Sequence, residues 1–207
     1  MAKYLDGKCR LCRREGVKLF LKGKRCLSPK CPIERKGAVP PGVKGTKRAR
    51  RPSEYGIQLR EKQKAKRTYG ILEAQFKRYF KKARKVKGAT GEALLRMLEQ
   101  RLDNIVYRLG FSPSRSASRQ IVSHGHVLVD GKKVNIPSYQ VRVGETISLS
   151  PKGLKIKEVE ETLAQKNVII PSWLERKAAV GRVKKLPERD EIGGEINEQQ
   201  IVEYYSR

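Results

Sequence analysis

The chain has 207 residues, 33% of them charged, and its 48 Lys and Arg against 21 Asp and Glu give a formal net charge of +27. No apolar run approaches the ~20 residues of a bilayer-spanning helix. Lys3, Asp6 and Lys8 interrupt the stretch where a signal-peptide core would lie, so a cytosolic protein without a membrane span is expected. Residues 1 to 90 hold twenty-nine Lys and Arg against six Asp and Glu, a formal +23, leaving +4 for the other 117 residues. A field that one-sided repels itself unless it lies against a polyanion, and each phosphate contact also releases counterions. Nucleic acid is the expected partner.

The first fifty residues carry few large apolar groups, mainly Leu5, Leu11, Leu19, Phe20, Leu21, Leu27, Ile33 and Val39. At ~25 cal/mol per Å² their burial cannot offset the entropy of ordering so long an arm. The four cysteines, Cys9, Cys12, Cys26 and Cys31, fall here as C-x2-C-x13-C-x4-C. A C-x2-C turn brings two thiolates to one metal, and a second pair beyond a loop completes a tetrahedron. One zinc ion per chain is expected. An iron-sulfur cluster would use the same ligands, and disulfides are disfavoured in a reducing compartment. Four thiolates close the coordination shell, which makes such a metal structural. Arg10, Arg13, Arg14, Lys18, Lys22, Lys24 and Arg25 lie among the cysteines, where they would offset thiolate charge and face phosphate.

Residues 33–52 form a linker marked by Pro40, Pro41, Gly42 and Gly45. Arg35 and the run Lys47, Arg48, Arg50 and Arg51 are expected on an RNA backbone rather than as a solvated tail. Ser53 caps a short helix with Glu54 in its first turn and Ile57, Leu59 and Ala65 on its thin apolar side; Arg67, near its end, joins the RNA set. A second helix over 69–86 places Leu72, Phe76, Tyr79, Phe80 and Ala83 at helical spacing. The rest of that helix is largely Lys77, Arg78, Lys81, Lys82, Arg84, Lys85 and Lys87. Its aromatic stripe reads as core rather than as a platform for bases. After Gly88, Thr90 caps a third helix whose Leu95, Leu98, Leu102, Ile105 and Leu109 form a buried seam.

Beyond Gly110 a helix from Ser114 to His124 is stopped by Gly125. Val127 and Val129 alternate into an Asp130-Gly131 turn, and Val134 and Ile136 return. Tyr139, Val141 and Val143, a Gly144-Glu145 turn, then Ile147 and Leu149 predict a further strand pair. The expected class is α+β: a metal arm, a helical domain, and an inserted small α/β module of two helices on a short antiparallel sheet. Arg115, Ser116, Arg119, Gln120, His124, Lys132 and Lys133 are the candidate RNA contacts of this segment. His124 and His126 suit phosphate or a turn cap better than a metal, and Ser112, Ser114, Ser116 and Ser118 have no activating base in view.

Trp173 is expected in a core or an interface. From Pro187 to Ser206 the charge reverses, with Glu188, Asp190, Glu191, Glu195, Glu198 and Glu203 against Arg189 alone. Asn197 and Gln200 make a capping-box-like start before Ile201, Val202, Tyr204 and Tyr205. This helix should close back onto residues 53–88. The predicted boundaries are 1–45 for the arm and linker, 46–91 plus 171–207 for the helical domain, and 92–170 for the module.

The strings Ser116-Ala117-Ser118-Arg119-Gln120-Ile121, Gly125-His126-Val127 and Val129-Asp130-Gly131 resemble a small RNA-binding module. That module occurs in ribosomal, pseudouridine-synthase, tyrosyl-tRNA-synthetase and heat-shock proteins. Asp130 stands where many relatives carry Asn, a change that preserves the turn, and because helix and hairpin loop converge in that module the resemblance implies one basic face of Arg115, Arg119, Lys132 and Lys133. With the cysteine arm, EYGIQLREKQKAKRTYGILEAQFKRYF and INEQQIVEYYSR, the whole chain resembles the bacterial small-subunit ribosomal protein family numbered four. The resemblance implies a structural, non-enzymatic primary binder of small-subunit ribosomal RNA that nucleates assembly of the 5′ domain and contributes to decoding accuracy. It also implies neighbours, the fifth and third small-subunit proteins, and proximity to the place where mRNA enters. Many members lack the cysteines, so the metal rests on the ligands present here. The alternatives are an RNA-modifying enzyme or RNA chaperone anchored by the same module, and a zinc-dependent DNA regulator. Once the arm, helices and module are assigned, no segment is left to house a catalytic domain, and the knuckle lacks an adjacent recognition helix.

Overall fold

A computed structural model of the chain describes residues 4–42, 51–165, 168–193 and 196–207. The chain divides into two compact units. One holds the described residues through Ala93 together with those from Ile196 onward, and the other runs from Leu94 to Gly193. Among the described residues no helix is long and apolar enough to cross a membrane.

The first unit opens with three short helices, α1 (Lys8–Glu15), α2 (Lys24–Leu27) and α3 (Pro32–Lys36). α1 stops at Gly16, whose φ of 75° is the left-handed conformation that favours glycine at a helix end. Cys12, Leu19 and Leu21 form a small buried cluster against Leu11, Val17 and Ile33, as sparse as the sequence leads one to expect. α4 (Glu54–Thr68) is capped by Ser53 Oγ, which accepts from the Gly56 N–H at 3.2 Å. The next helix, expected from Tyr69, begins later as α5 (Glu73–Ala83). Gly70 adopts φ 63°. Its N–H bonds Arg67 O at 3.2 Å and the Ile71 N–H bonds Lys66 O at 3.1 Å, a double closure of α4 that forces the chain out of helix before α5 starts.

The third helix is also interrupted, into α6 (Thr90–Glu99) and α7 (Leu102–Arg108). The break has partners of its own. Arg101 bridges Gln140, the Leu102 and Asp103 N–H groups donate to Tyr139 O and Pro137 O at 2.9 and 3.2 Å, and the Val141 N–H donates to Gln100 O at 3.0 Å. The segment expected to be a strand near Tyr139 to Val143 is occupied in this clamp and contributes only that bridge. The leucine seam survives the break: Leu95, Leu98, Leu102, Ile105 and Leu109 are all fully buried.

α8 (Arg115–Ser123) follows, capped by Ser114 Oγ, which accepts from the Ala117 N–H at 3.3 Å. β1 (Val127–Val129) and β2 (Lys132–Lys133) form the expected hairpin. Asp130 and Gly131 have φ values of 47° and 77°, the pair of positive angles of a type I′ turn. β3 (Thr146–Leu149) pairs with β1 in the register Leu128↔Ser148. α9 (Pro151–Leu154) and α10 (Lys157–Leu163) then lead to β4 (Leu174–Lys177) and β5 (Val180–Val183). The sheet is antiparallel throughout, in the order β2-β1-β3-β5-β4. Residues 171–193, expected with the helical domain, therefore lie with this sheet, because β5 pairs along β3. Its core gathers Ile105, Leu109, Ile121, Val122, Val127, Ile147 and Trp173. β5 approaches α7 so closely at Gly181 that an added Cβ would stand 2.4 Å from Leu109 Cδ1.

The chain returns to the first unit as α11 (Glu198–Ser206), where Asn197 Oδ1 accepts from the Gln200 N–H at 3.3 Å. α11 lies on α4, as its apolar face predicts. Gln58 Nε2 donates to Glu203 Oε2 at 3.0 Å, the Asn197 N–H to Glu61 Oε2 at 3.1 Å, and Tyr205 stacks on Phe80 with centroids 4.5 Å apart. Glu203 thus meets the neutral Gln58, while Glu188 and Glu191, earlier in the acidic stretch, pair with Lys185 in the second unit.

Candidate nucleic-acid interface

α5 separates its two sides cleanly. Phe76, Tyr79, Phe80 and Ala83 are buried, while Lys77, Arg78, Lys81 and Lys82 are exposed, followed by exposed Arg84, Lys85 and Lys87. The aromatics belong to the core, leaving a continuous cationic face. The acid in the first turn of that helix is already committed. Glu73 accepts from Lys62 Nζ at 2.9 Å, Lys66 Nζ at 3.1 Å and Tyr205 Oη at 2.8 Å. Burial alone would raise its carboxyl, but these three donors bring it down to about 2, and the same contact together with burial pushes the Tyr205 hydroxyl up. Lys62, only 4% exposed, also sits 4.5 Å from the Tyr204 ring centre.

In the arm, Arg10, Arg14, Lys22, Arg25 and Arg35 are exposed. Arg13, expected to face RNA, instead donates to Val39 O at 2.8 Å and Pro40 O at 3.1 Å, fastening the linker to α1. Arg67 likewise turns inward to Glu15, joined by Arg60 at 3.3 Å. The Glu15 side chain is 1% exposed, and burial raises its carboxyl while the two arginines oppose that. Arg51 is exposed, and Lys47, Arg48 and Arg50 lie outside the described residues.

The four cysteines are free, with Cys12, Cys26 and Cys31 buried. Cys26 Sγ accepts the Lys22 N–H at 3.2 Å. Burial raises the Cys12 thiol, a backbone hydrogen bond with Leu19 opposes that, and charge on Cys26, Cys9 or Cys31 would raise it further. Among the described residues no group of three or more His, Cys, Asp or Glu stands in a metal-holding arrangement.

In the second unit Ser116, Gln120, His124, Lys132 and Lys133 are exposed. The arginines of α8 are not. Arg115 Nε donates to Asn104 Oδ1 at 2.7 Å with its guanidinium 4.7 Å from the Tyr107 ring centre, and Arg119 pairs with Asp103 at 3.2 Å. Behind them Arg101, fully buried, forks onto Asp103 at 3.0 and 2.6 Å. Glu99 receives Asn104 at 2.7 Å and Arg108 at 3.0 and 2.8 Å. The single basic face expected from Arg115, Arg119, Lys132 and Lys133 is thus divided: two arginines committed to α7, two lysines exposed on the hairpin. Sequence reasoning passed over this network, although four polar residues (Glu99, Arg101, Asp103 and Asn104) interrupting a leucine seam were a visible signal. Ser112 Oγ and Ser118 Oγ donate to Ser114 O at 3.1 and 3.2 Å, and Ser114 Oγ caps α8, so these hydroxyls serve the backbone. The arrangement suits binding of a phosphate backbone.

Comparison with known proteins is consistent along the whole chain. Residues 3–99 match the family model described as "Ribosomal protein S4/S9 N-terminal domain", and residues 100–147 match "S4 domain". Small ribosomal subunit protein uS4A of Symbiobacterium thermophilum is 54% identical over 209 residues, covering 100% of both chains. Small ribosomal subunit protein uS4 of Syntrophus aciditrophicus is 54% identical over 212 residues and that of Thermus thermophilus 50% over 210, again covering 100% of each chain.

Proposed function

We propose, from the premise that this chain belongs to the small ribosomal subunit protein uS4 family, that it is a structural, non-enzymatic component of the small ribosomal subunit that binds small-subunit rRNA. The observation that carries this reading is full-length identity of 54% to a protein of that name. The exposed cations of α5 supply a physical means, since each phosphate they neutralise releases a counterion. The basic arm contributes Arg10, Arg14, Lys22, Arg25 and Arg35, and the second unit contributes Ser116, Gln120, His124, Lys132 and Lys133. Arg115 and Arg119 act from the α7 side, as groups that set how α8 is presented. Binding is early in assembly of the 5′ domain and bears on decoding accuracy. The neighbours in this reading are small-subunit proteins five and three and mRNA where it enters, and the setting is the cytoplasm.

A zinc ion held by Cys9, Cys12, Cys26 and Cys31 belongs to the same proposal. The chemistry of the donor set supports it, four free thiols with three of them buried and a backbone N–H directed at Cys26 Sγ, although the described residues do not gather three of them into a metal-holding group. Bound zinc supplies a crosslink that an arm with so small an apolar cluster otherwise lacks.

The test is binding of the full chain to small-subunit rRNA across salt concentrations. Affinity should fall steeply, and replacing Lys77, Arg78, Lys81 and Lys82 by Ala should reduce the log–log slope by about one per lost phosphate contact. A flat dependence, or equal affinity for random duplex DNA at every salt, overturns the reading.

A further inference from the structure

The second unit carries a cavity of about 270 Å³ between α8, the start of β1 and the start of α10. Ala117, Ile121 and Ile156 give it apolar surface, and Gln120, His124, His126, Lys157 and Glu158 supply its polar groups. We propose that this cavity takes one unpaired nucleobase of the bound RNA, guanine by preference, an inference that rests on the rRNA-binding reading above.

Size and shape come first. The volume lies just under the ~300–1,000 Å³ of pockets for larger ligands, which suits a single planar heterocycle. The walls are fixed by backbone contacts. The His126 N–H bonds Ile121 O at 3.1 Å, and His126 O receives the Ser150 N–H at 2.9 Å. At Gly153 an added Cβ would stand 3.0 Å from His126 Cβ, so α9 seats directly behind that histidine. The His124 and His126 rings, 6.2 Å apart and inclined at 58°, form a wedge in which one ring can stack on a base while the other meets its edge. Splayed bases of folded RNA are held in this way, by a ring on the face and side chains on the edge.

The polar groups choose the ligand. Ionised Glu158 only accepts hydrogen bonds, whereas the Gln120 amide both donates and accepts. Guanine presents two adjacent N–H donors on one edge and so matches a carboxylate. A phosphate inside would meet the Glu158 charge beside the single cation Lys157, which favours phosphates outside, where Lys133 and Lys155 are exposed. Lys133 lies across Gly125, between the two histidines in sequence: a Cβ there would come 2.1 Å from Lys133 Cε.

The experiment titrates the isotope-labelled full chain with guanosine monophosphate, cytidine monophosphate and inorganic phosphate at equal ionic strength. Guanosine monophosphate should shift the Gln120 side-chain, His126 and Ile156 signals saturably, cytidine monophosphate less, and phosphate not at all. Glu158→Gln should erase the preference between the two nucleotides. Ala117→Phe, which fills the cavity without touching a charge, should abolish the shifts and weaken rRNA binding about tenfold, the scale of one lost base stack. Should that variant lose its fold, the exposed Gln120→Ala carries the same expectation. Equal shifts from phosphate and guanosine monophosphate, or a filled cavity with unchanged rRNA affinity and footprint, overturn the proposal. A wild-type chain that ignores rRNA would instead defeat the underlying reading, while the mononucleotide titration still reports on the cavity.

Discussion

Replacing Lys62 by Met removes one charge from the junction of α4, α5 and α11 while keeping the apolar stem that fills the site. Lys62 gives Glu73 a 2.9 Å charge-assisted hydrogen bond and faces the Tyr204 ring at 4.5 Å. A charge-assisted bond contributes about 1.5–3 kcal/mol net and a cation–π contact about 0.5–2 kcal/mol. Glu73 is 45% exposed, so solvent screens the pair and the lower ends apply. The sum is about 2 kcal/mol, or roughly 10 °C in melting temperature for a unit of this size. Its pH dependence has a definite sign. The Glu73 carboxyl is lowered from 4.5 to about 2 in the folded chain, so its contribution is fully present above 4.5 and is lost as pH falls through about 2. Melting wild type and Lys62→Met across that window should show the gap narrowing toward acid, and a carboxyl titration should find Glu73 moved back toward its ordinary range in the variant. A gap that stays constant with pH, or a variant that melts with wild type at neutral pH, would refute the reasoning.

Asp103→Ala removes the carboxylate that the buried Arg101 and Arg119 share, so urea unfolding should show a loss of about 3–5 kcal/mol in the second unit. Gly181→Ala forces a methyl against Leu109 and should cost about 1–3 kcal/mol. Combined with Leu109→Ala it should cost less than the two changes added, and strict additivity in a double-mutant cycle would contradict the contact. Chelating zinc should remove amide-exchange protection from residues 8–36 while α4 and α5 keep theirs, since structural zinc supplies about 10–16 kcal/mol in small peptides. Unchanged protection in the arm would dismiss the metal.

Local signals were the most legible part of this fold. Ser53, Ser114 and Asn197 each cap the helix their spacing announces, and Asp130-Gly131 turns as its chemistry requires. What local patterns missed were choices made by partners distant in sequence. The leucine seam reads as one helix, yet Gln100 to Asp103 bond residues 137 to 141 and break it. β4 and β5 read as connecting chain because LERK and VGRV lack alternation, and only pairing, β5 with β3 and β4 with β5, makes them strands. The site divides along the same line. The cations of α5 follow from its amphipathic pattern, whereas Arg13, Arg67, Arg115 and Arg119 look like equally good phosphate ligands until the carbonyls and acids that claim them are brought near by the fold.

Hydroxyl-radical footprinting of the full chain on purified small-subunit rRNA tests the central claim most directly. A bounded set of protected nucleotides, shrinking when Lys77, Arg78, Lys81 and Lys82 are replaced by Ala and persisting against excess duplex DNA, is the predicted result. Uniform weak protection along the RNA, or protection indifferent to the α5 substitutions, would contradict it.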